Sequence, residues 1–374
     1  MSANIKIGKD TLQGVDAVEL ENADALGSYV KFGLGISGGY TVTFVAEGNP
    51  YSIISVTAGS AIKEPIPPEV TGFVTGWSTD EAGANLVSFP YTPTADITLY
   101  AKVSPASMTL DENSWATISA ISAAGMGANY WAVGDTKTIA LKGTVGTVAL
   151  DASYKVFIIG FNHNSEKEGA GISFSGFRTI DATDRELCFV DQYYATDTSE
   201  VMAFSMNTTR TNAGGWKAAK MRKTILGSTD VENGDATPET IANPAANTLM
   251  AALPADLRAV LKPIIKYTDN VGGASGASAI SPTIDYLPLM AEFEVFGTYE
   301  QANPDEKTYQ AQYEYYKSGN SKIKLTQSSF SPAWWWLRSP CYPYNEWFAC
   351  GGSQGTAGRY NSKSSEGVSP VFLV

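Results

Sequence analysis

The chain has a single histidine, only three cysteines, and no run of about eighteen apolar residues able to cross a bilayer as a helix. Any Ser-His-Asp or Cys-His arrangement has to use His163. That residue stands in GFNHNSEKEG, after an apolar run and among polar neighbours, where it reads as a turn residue with a local hydrogen bond. No zinc-ligand spacing occurs, and no metal or cofactor is expected. Cys188, Cys341 and Cys350 are odd in number and make no disulfide framework. A Cys341–Cys350 bridge closing the C-terminal loop and three free thiols are both open at this stage. Basic residues are scarce as well: 26 Lys and Arg face 38 Asp and Glu, a net charge of −12. Such a chain repels phosphate backbones, so a nucleic-acid partner is not expected. The opening MSANIKIGKDTLQG lacks the charged-then-apolar pattern of a signal peptide. Export by the general secretory route is therefore not expected, whereas a virion part made in the cytoplasm and released by lysis needs no signal.

Paired carboxylates are equally thin. Glu292 and Glu294 alternate with Phe293 and Val295, which predicts a late strand with both acids on one face. Such a pair can do general acid–base work, but the ordinary reading is a solvated face opposite a buried one. Asp181 and Asp184 in IDATDRE read as turn formers.

What is present is organised in three stretches. Residues 1–39 form an arm and linker with apolar pairs (Ile5 and Ile7; Val15, Val18 and Leu20). Gly33, Gly35 and Gly38 fit G-x-G-x-x-G, but an alternating strand follows where a dinucleotide site needs a helix N-terminus; the glycines read as a flexible linker. Residues 40–104 form a small β module. Thr41, Thr43 and Val45 alternate with Val42 and Phe44, Pro65, Pro67 and Pro68 mark a turn, and Trp77 anchors the core. Residues 105–374 form the large domain, with Asn113 as cap of a helix carrying Trp115, Ile118 and Ile121 and ending at Gly125. Val156–Phe161 is a strand buried on both faces. GGWKAAKMRKTILG predicts a second helix closed by Gly227. Leu253, Leu257, Val260, Leu261 and Ile264 predict a third, with Pro254 in its first turn. Asn303–Glu306 starts a fourth, with Tyr309, Tyr313 and Tyr316 along one face. Strands mixed with helices, without regular βαβ alternation, give an α+β class.

The last forty-odd residues combine two textures. Trp334–Pro340 and Gly367–Phe372 look like fixed framework. Between them Tyr, Asn, Trp, Ser, Gly, Arg and Lys follow neither helical nor strand spacing, the composition of a paratope, and exposed Tyr and Trp in such a setting mark an interaction surface. That points to recognition and not to catalysis.

Two resemblances follow from these residues. Residues 40–104 resemble the Listeria–Bacteroides repeat, a β-grasp-like spacer of surface proteins. The WWLRSP opening and GVSPVFLV close, with YWAVGDTK (130–137), YKVFIIGFNHN (154–164), the GGW at Gly214, Gly215 and Trp216, the MR at Met221 and Arg222, and MAEFEVFG (290–297), are similar to diversity-generating retroelement variable proteins. The resemblance spans roughly residues 105–374. It implies a C-type-lectin-like domain, with a diversified segment at about 341–365. The diversified, ligand-binding set would be Tyr342, Tyr344, Asn345, Trp347, Ser353, Arg359, Tyr360, Asn361 and Lys363. Trp335, Trp336, Leu337, Arg338, Gly367, Val368 and Phe372 would be framework, with Arg338 buried and satisfied by backbone carbonyls. Calcium, which many C-type lectins hold, is not expected, because the segment offers only Glu346 and Glu366 as carboxylates. Formylglycine-generating enzymes share the fold, but Cys341 and Cys350 lie inside the diversified stretch. The implied function is a phage tail-associated receptor-binding protein, or a bacterial surface adhesin. Its partners are a host-cell surface protein or glycan and, through the N-terminus, the carrier; a homo-oligomer, such as a trimer, is expected, and membrane insertion is not.

Overall fold

The computed structural model describes residues 3–7, 10–15 and 39–374, apart from 67, 69, 71 and 275. The glycine linker at Gly33, Gly35 and Gly38, Val18 and Leu20 of the arm, and Pro67 lie outside the described residues. Contacts divide the chain into two compact units, residues 1–106 and 107–374.

In the first unit β1 (Ala3–Ile7) pairs antiparallel with β2 (Asp10–Val15). The β module follows as β3 (Gly39–Ala46), β4 (Asn49–Thr57), β5 (Phe73–Ser78), β6 (Leu86–Val87) and β7 (Ile97–Ser104). They form one sheet in the order β4-β3-β7-β5-β6, parallel only between β3 and β7. The alternation of β3 does what its sequence predicts: Val42, Phe44 and Ala46 are buried, and the residues between them are half-buried. Trp77 is fully buried and meets Phe44 edge-on at 4.8 Å between ring centres.

The second unit is mixed α+β. Its first helix, Trp115–Ala123, is capped by Ser114, whose hydroxyl accepts from the Thr117 N–H. Asn113, the expected cap, instead folds inward and donates to the carbonyls of Ser107 and Thr109. Gly125 follows with φ +72°, a conformation that favours glycine. The main sheet runs β19 (Val371–Leu373), β10 (Ile172–Arg178), β9 (Val148–Phe161) and β8 (Thr136–Val145), antiparallel throughout. Val156–Ile159 of β9 are fully buried, and Phe174 of β10 stacks on Phe372 at 5.3 Å. The C-terminal framework thereby closes the sheet built by the start of the unit. Smaller sheets join β11 (Leu187–Cys188), β14 (Lys324–Thr326) and β15 (Pro332–Ala333), pair β12 (Ile264–Asp269) with β13 (Ile280–Asp285), and order β16 (Trp335–Pro340), β17 (Trp347–Gly351) and β18 (Ala357–Asn361). No helix among the described residues is long and apolar enough to cross a membrane.

Several predicted elements differ. MAEFEVFG is not a strand: Glu292–Phe296 is a short helix, opened by the Glu294 carboxylate accepting the Ala291 N–H. Five residues are too few to separate a period of two from one of 3.6. Both acids are fully buried instead of solvated. The expected helix over 253–264 shrinks to Ala255–Arg258; Leu253 is the extended cap that ends a separate short helix, Leu249–Ala252, and Ile264 opens a strand. The residue before a proline is driven out of the helical region, and Leu253 and Lys262 both occupy that position. GGWKAAKMRKTILG yields Gly215–Ala218 and a separate π-helical turn, Met221–Ile225, because Ala219 turns extended. After the Asn303-capped turn Pro304–Thr308, a new helix starts only at Glu314, so the three tyrosines do not share one face.

Candidate functional site

The framework residues form a buried scaffold. Trp335, Trp336, Leu337 and Arg338 are fully buried, with Val368 and Phe372 almost so. The indole N–H of Trp336 donates to the Phe204 carbonyl at 2.7 Å, and that of Trp335 to Lys322 at 3.1 Å. A Cβ on Gly367 would lie 2.3 Å from the Cys188 sulfur, so only glycine fits there. Trp334, unlike its neighbours, is half-buried and packs edge-on against Tyr360 at 5.6 Å.

Arg338 is satisfied by a carboxylate more than by carbonyls. Its two terminal nitrogens reach the Glu294 oxygens at 2.5 and 2.7 Å, while Nε donates to Thr268 and Nη1 to the Leu289 carbonyl. Glu294 also receives the Lys266 ammonium at 2.9 Å, and that ammonium in turn reaches Glu168 and the Tyr313 hydroxyl. Burial alone would raise the Glu294 carboxyl, but the Arg338 and Lys266 charges outweigh it and hold it well below the usual carboxylate range. A second ion pair is also buried. Arg222 meets Asp285 at 2.6 Å, and the Trp216 indole donates to the same carboxylate at 3.1 Å. The GGW and MR pieces thus converge on Asp285, and WWLRSP and MAEFEVFG converge on Glu294.

The stretch expected to lack regular spacing is a three-stranded antiparallel sheet, β16-β17-β18, with the loop 341–346 joining its first two strands. Phe348, Ala349 and Cys350 are all fully buried, so β17 is core on both faces and shows no alternation in its sequence. Exposure is concentrated in Tyr342–Asn345, with Tyr342 38 % and Tyr344 42 % exposed. Trp347 and Arg359 are half-buried beside them; the Arg359 guanidinium lies 4.3 Å from the Tyr344 ring centre and 5.8 Å from that of Trp347. Tyr342, Tyr344, Asn345, Trp347 and Arg359 therefore belong to one patch.

The other expected display residues do not join it. Successive strand residues point to opposite faces, so Tyr360 turns away from Arg359 and packs on Trp334. Asn361 is buried, and its side-chain oxygen accepts the Lys363 N–H as a turn former. Lys363 pairs with Asp197 at 3.4 Å, and Ser353 is half-buried in the β17–β18 turn.

Residues that sequence reasoning missed hold this loop. The side-chain amide of buried Asn212 donates to the carbonyls of Tyr344 at 2.7 Å, Trp347 at 3.0 Å and Cys341 at 3.4 Å. Its own backbone N–H bonds the Asn345 carbonyl at 2.9 Å. From the other side, the Tyr342 N–H donates to the Gln301 carbonyl at 2.8 Å, and Arg359 Nη1 donates to Gln301 Oε1 at 2.7 Å. Gln301 is itself held, because the buried Glu292 carboxylate accepts the N–H groups of Glu300, Gln301 and Ala302. Glu292 thus positions Gln301 through three backbone N–H groups. Gly273 completes the clamp, since a Cβ there would sit 2.5 Å from the Tyr344 carbonyl oxygen. Asn212 stands next to the quoted GGW, but nothing in the local pattern of Gln301 or Glu292 marks them. Replacing Asn212 with Ala leaves up to three carbonyls without this donor. The expected cost is about 1–3 kcal/mol, read as faster amide hydrogen exchange across 341–347.

The chemistry-bearing candidates have structural places. His163 lies in a turn, as its neighbours predict, but its ring stacks on Tyr313 at 3.7 Å and its buried Nε2 has no partner among the described residues. Burial, then the nearby Lys266 charge, pushes it down to about 3. It lines a cleft of 460 Å³ with Gln312, Glu314 and Lys317. Cys188, Cys341 and Cys350 are free buried thiols. Burial pushes all three up, Cys188 to about 12, which disfavours the nucleophilic thiolate. Glu366 is fully buried with both carboxyl oxygens unpartnered, and burial pushes it up to about 8. A protonated carboxyl is a poor calcium ligand. No group of three or more His, Cys, Asp or Glu able to hold a metal occurs among the described residues.

Two family models match parts of the chain, one within each unit. No curated protein matches the chain. Residues 198–374, which carry the whole loop and its clamp, match the model of a domain of unknown function (DUF6273). A Listeria-Bacteroides repeat domain is found at residues 40–102.

Proposed function

We propose that the protein is a diversified ligand-binding protein, with a C-type-lectin-like C-terminal domain that recognises a host-cell surface protein or glycan. Phage tail attachment fits the reading, and a bacterial surface adhesin is its second form. The N-terminal segment and the repeat domain would serve as carrier attachment and spacer, and a trimer would add avidity. One observation carries the reading. Tyr342, Tyr344, Trp347 and Arg359 form an aromatic and cationic patch across a loop and the two strands beside it, and the loop backbone is pinned by Asn212, Gln301 and, through Gln301, Glu292. Tyr, Trp and Arg are the residues that dominate binding energy at recognition surfaces, and a rigid scaffold under exposed rings lowers the entropy cost of binding.

The test is binding of the full chain to arrays of cell-surface proteins and glycans. The double variant Tyr342→Ala/Tyr344→Ala is expected to lose most binding with little loss of stability, because both side chains lie at the surface and outside the core. Undiminished binding by that variant would contradict the reading.

A further inference from the structure

Arg359 is one of two arginines of this acidic chain that form no ion pair among the described residues, the other being Arg258. Arg178, Arg185, Arg210, Arg222 and Arg338 each form an ion pair, and Arg258 donates to the Leu253 carbonyl beside it. Arg359 lies in the exposed patch, forms no ion pair among the described residues, and is tied only to the neutral Gln301. The nearest acid in that chain of contacts, Glu292, uses its oxygens on the N–H groups of Glu300–Ala302. Glu346, in the same loop, makes no ion pair with it. The Arg359 guanidinium is nonetheless held in place by its neighbours. The Tyr344 ring lies under its plane, Trp347 lies beside it, and the Gln301 amide fixes one corner. Nη2 and Nε have no partner among the described residues, which leaves one edge of the fork for a bidentate acceptor. Such an edge matches a carboxylate.

Resting on the recognition reading above, we propose that Arg359 is the anchor of a subsite for a carboxylate carried on a sugar ring, as in a uronic or sialic acid. Size favours a sugar over an acidic protein surface. A stable protein interface engages roughly 20–30 residues a side, whereas the residues gathered here are Tyr342, Tyr344, Asn345, Trp347, Arg359 and Gln301. Tyr342 offers an exposed flat ring for the C–H face of a sugar, and the Asn345 and Gln301 amides can pair with hydroxyls beside the carboxylate.

The probes are glucuronic acid and N-acetylneuraminic acid, glucose and galactose as neutral controls, and a polyglutamate peptide. Each is titrated against the full chain and followed by NMR. The acidic sugars are expected to bind and the neutral ones not. Arg359→Gln is expected to weaken binding about ten- to a hundredfold, as for loss of a charged hydrogen-bonding partner. Arg359→Lys keeps the charge but loses the fork and should fall between. Binding should also weaken with salt. Equal binding of neutral sugars, full binding by Arg359→Gln, or Arg359-dependent binding of polyglutamate alone would overturn the proposal. If no acidic sugar binds, the proposal also falls. Loss of array binding in the Tyr342→Ala/Tyr344→Ala variant would then leave the recognition reading standing, and its retention would remove both.

Discussion

Replacing Glu294 with Gln is expected to cost the 107–374 unit about 3–5 kcal/mol, the range for breaking a buried ion pair from one side. That is a large share of the roughly 5–15 kcal/mol that holds a domain folded. The reason lies in the count of charges around one carboxylate. Arg338 and Lys266 are both fully buried and both bonded to Glu294; the neutral amide leaves Arg338 without an anion and Lys266 with Glu168 alone. The Glu294 carboxyl is held well below its ordinary range in the folded state. Its contribution is therefore present above the unfolded pKa and is lost as pH falls towards the folded value. Urea unfolding followed by tryptophan fluorescence measures the cost. A loss under about 1 kcal/mol, the size of an exposed pair, would show that the network does not carry the framework.

The second large effect has the opposite sign. Glu366 sits fully buried in the GVSPVFLV close with neither oxygen bonded, and burial raises it from 4.5 to about 8. Folding must then keep it protonated while the unfolded chain releases the proton. The stabilisation is complete below the unfolded pKa and is lost as pH rises towards the folded one. Between pH 4.5 and 7 the loss is about 3 kcal/mol, at 1.36 kcal/mol per unit. Glu366→Gln cannot titrate, so its stability relative to the natural protein should climb by that amount over the interval. Glu306, pushed up to about 7 by burial, titrates in both proteins and cancels in the difference. Parallel pH profiles for the two proteins would show that Glu366 has a bonding partner in solution.

Legibility in the sequence followed the range of the forces involved. The alternation of Val42, Phe44 and Ala46 and the buried run of β9 are local apolar patterns, and both predicted their elements. The first helix was placed to within one residue of its cap. Short elements were lost where a neighbour decided the outcome: Pro254 and Pro263 cut a well-spaced apolar run, and Glu292–Phe296 spans too few residues to show its period. Burial of Glu294 and Arg338 depends on each other across 44 positions. An acid whose partner is that distant reads as solvated, as Glu294 does. The site was legible as composition and not as geometry. The aromatic and polar texture drew attention to 342–363, yet β17 is buried on both faces and Asn361 is a turn former. Only Tyr342, Tyr344, Asn345, Trp347 and Arg359 come together. Gln301 holds Tyr342 through its backbone carbonyl and Glu292 holds backbone N–H groups, and such bonds leave no trace in side-chain patterning.

If the C-terminal surface is diversified, as proposed, population sequencing of the 3′ end of the gene, with its flanking DNA, reads the pattern of substitution. The account predicts substitutions matched to adenines in a nearby near-copy and concentrated at Tyr342, Tyr344, Asn345, Trp347 and Arg359. Phe348, Ala349, Cys350 and the clamp residues Asn212, Glu292 and Gln301 should stay fixed, since each is buried or bonded beneath the loop. A uniform 3′ end with no near-copy, or substitutions falling equally on Phe348–Cys350, would contradict a diversified recognition surface built on this scaffold.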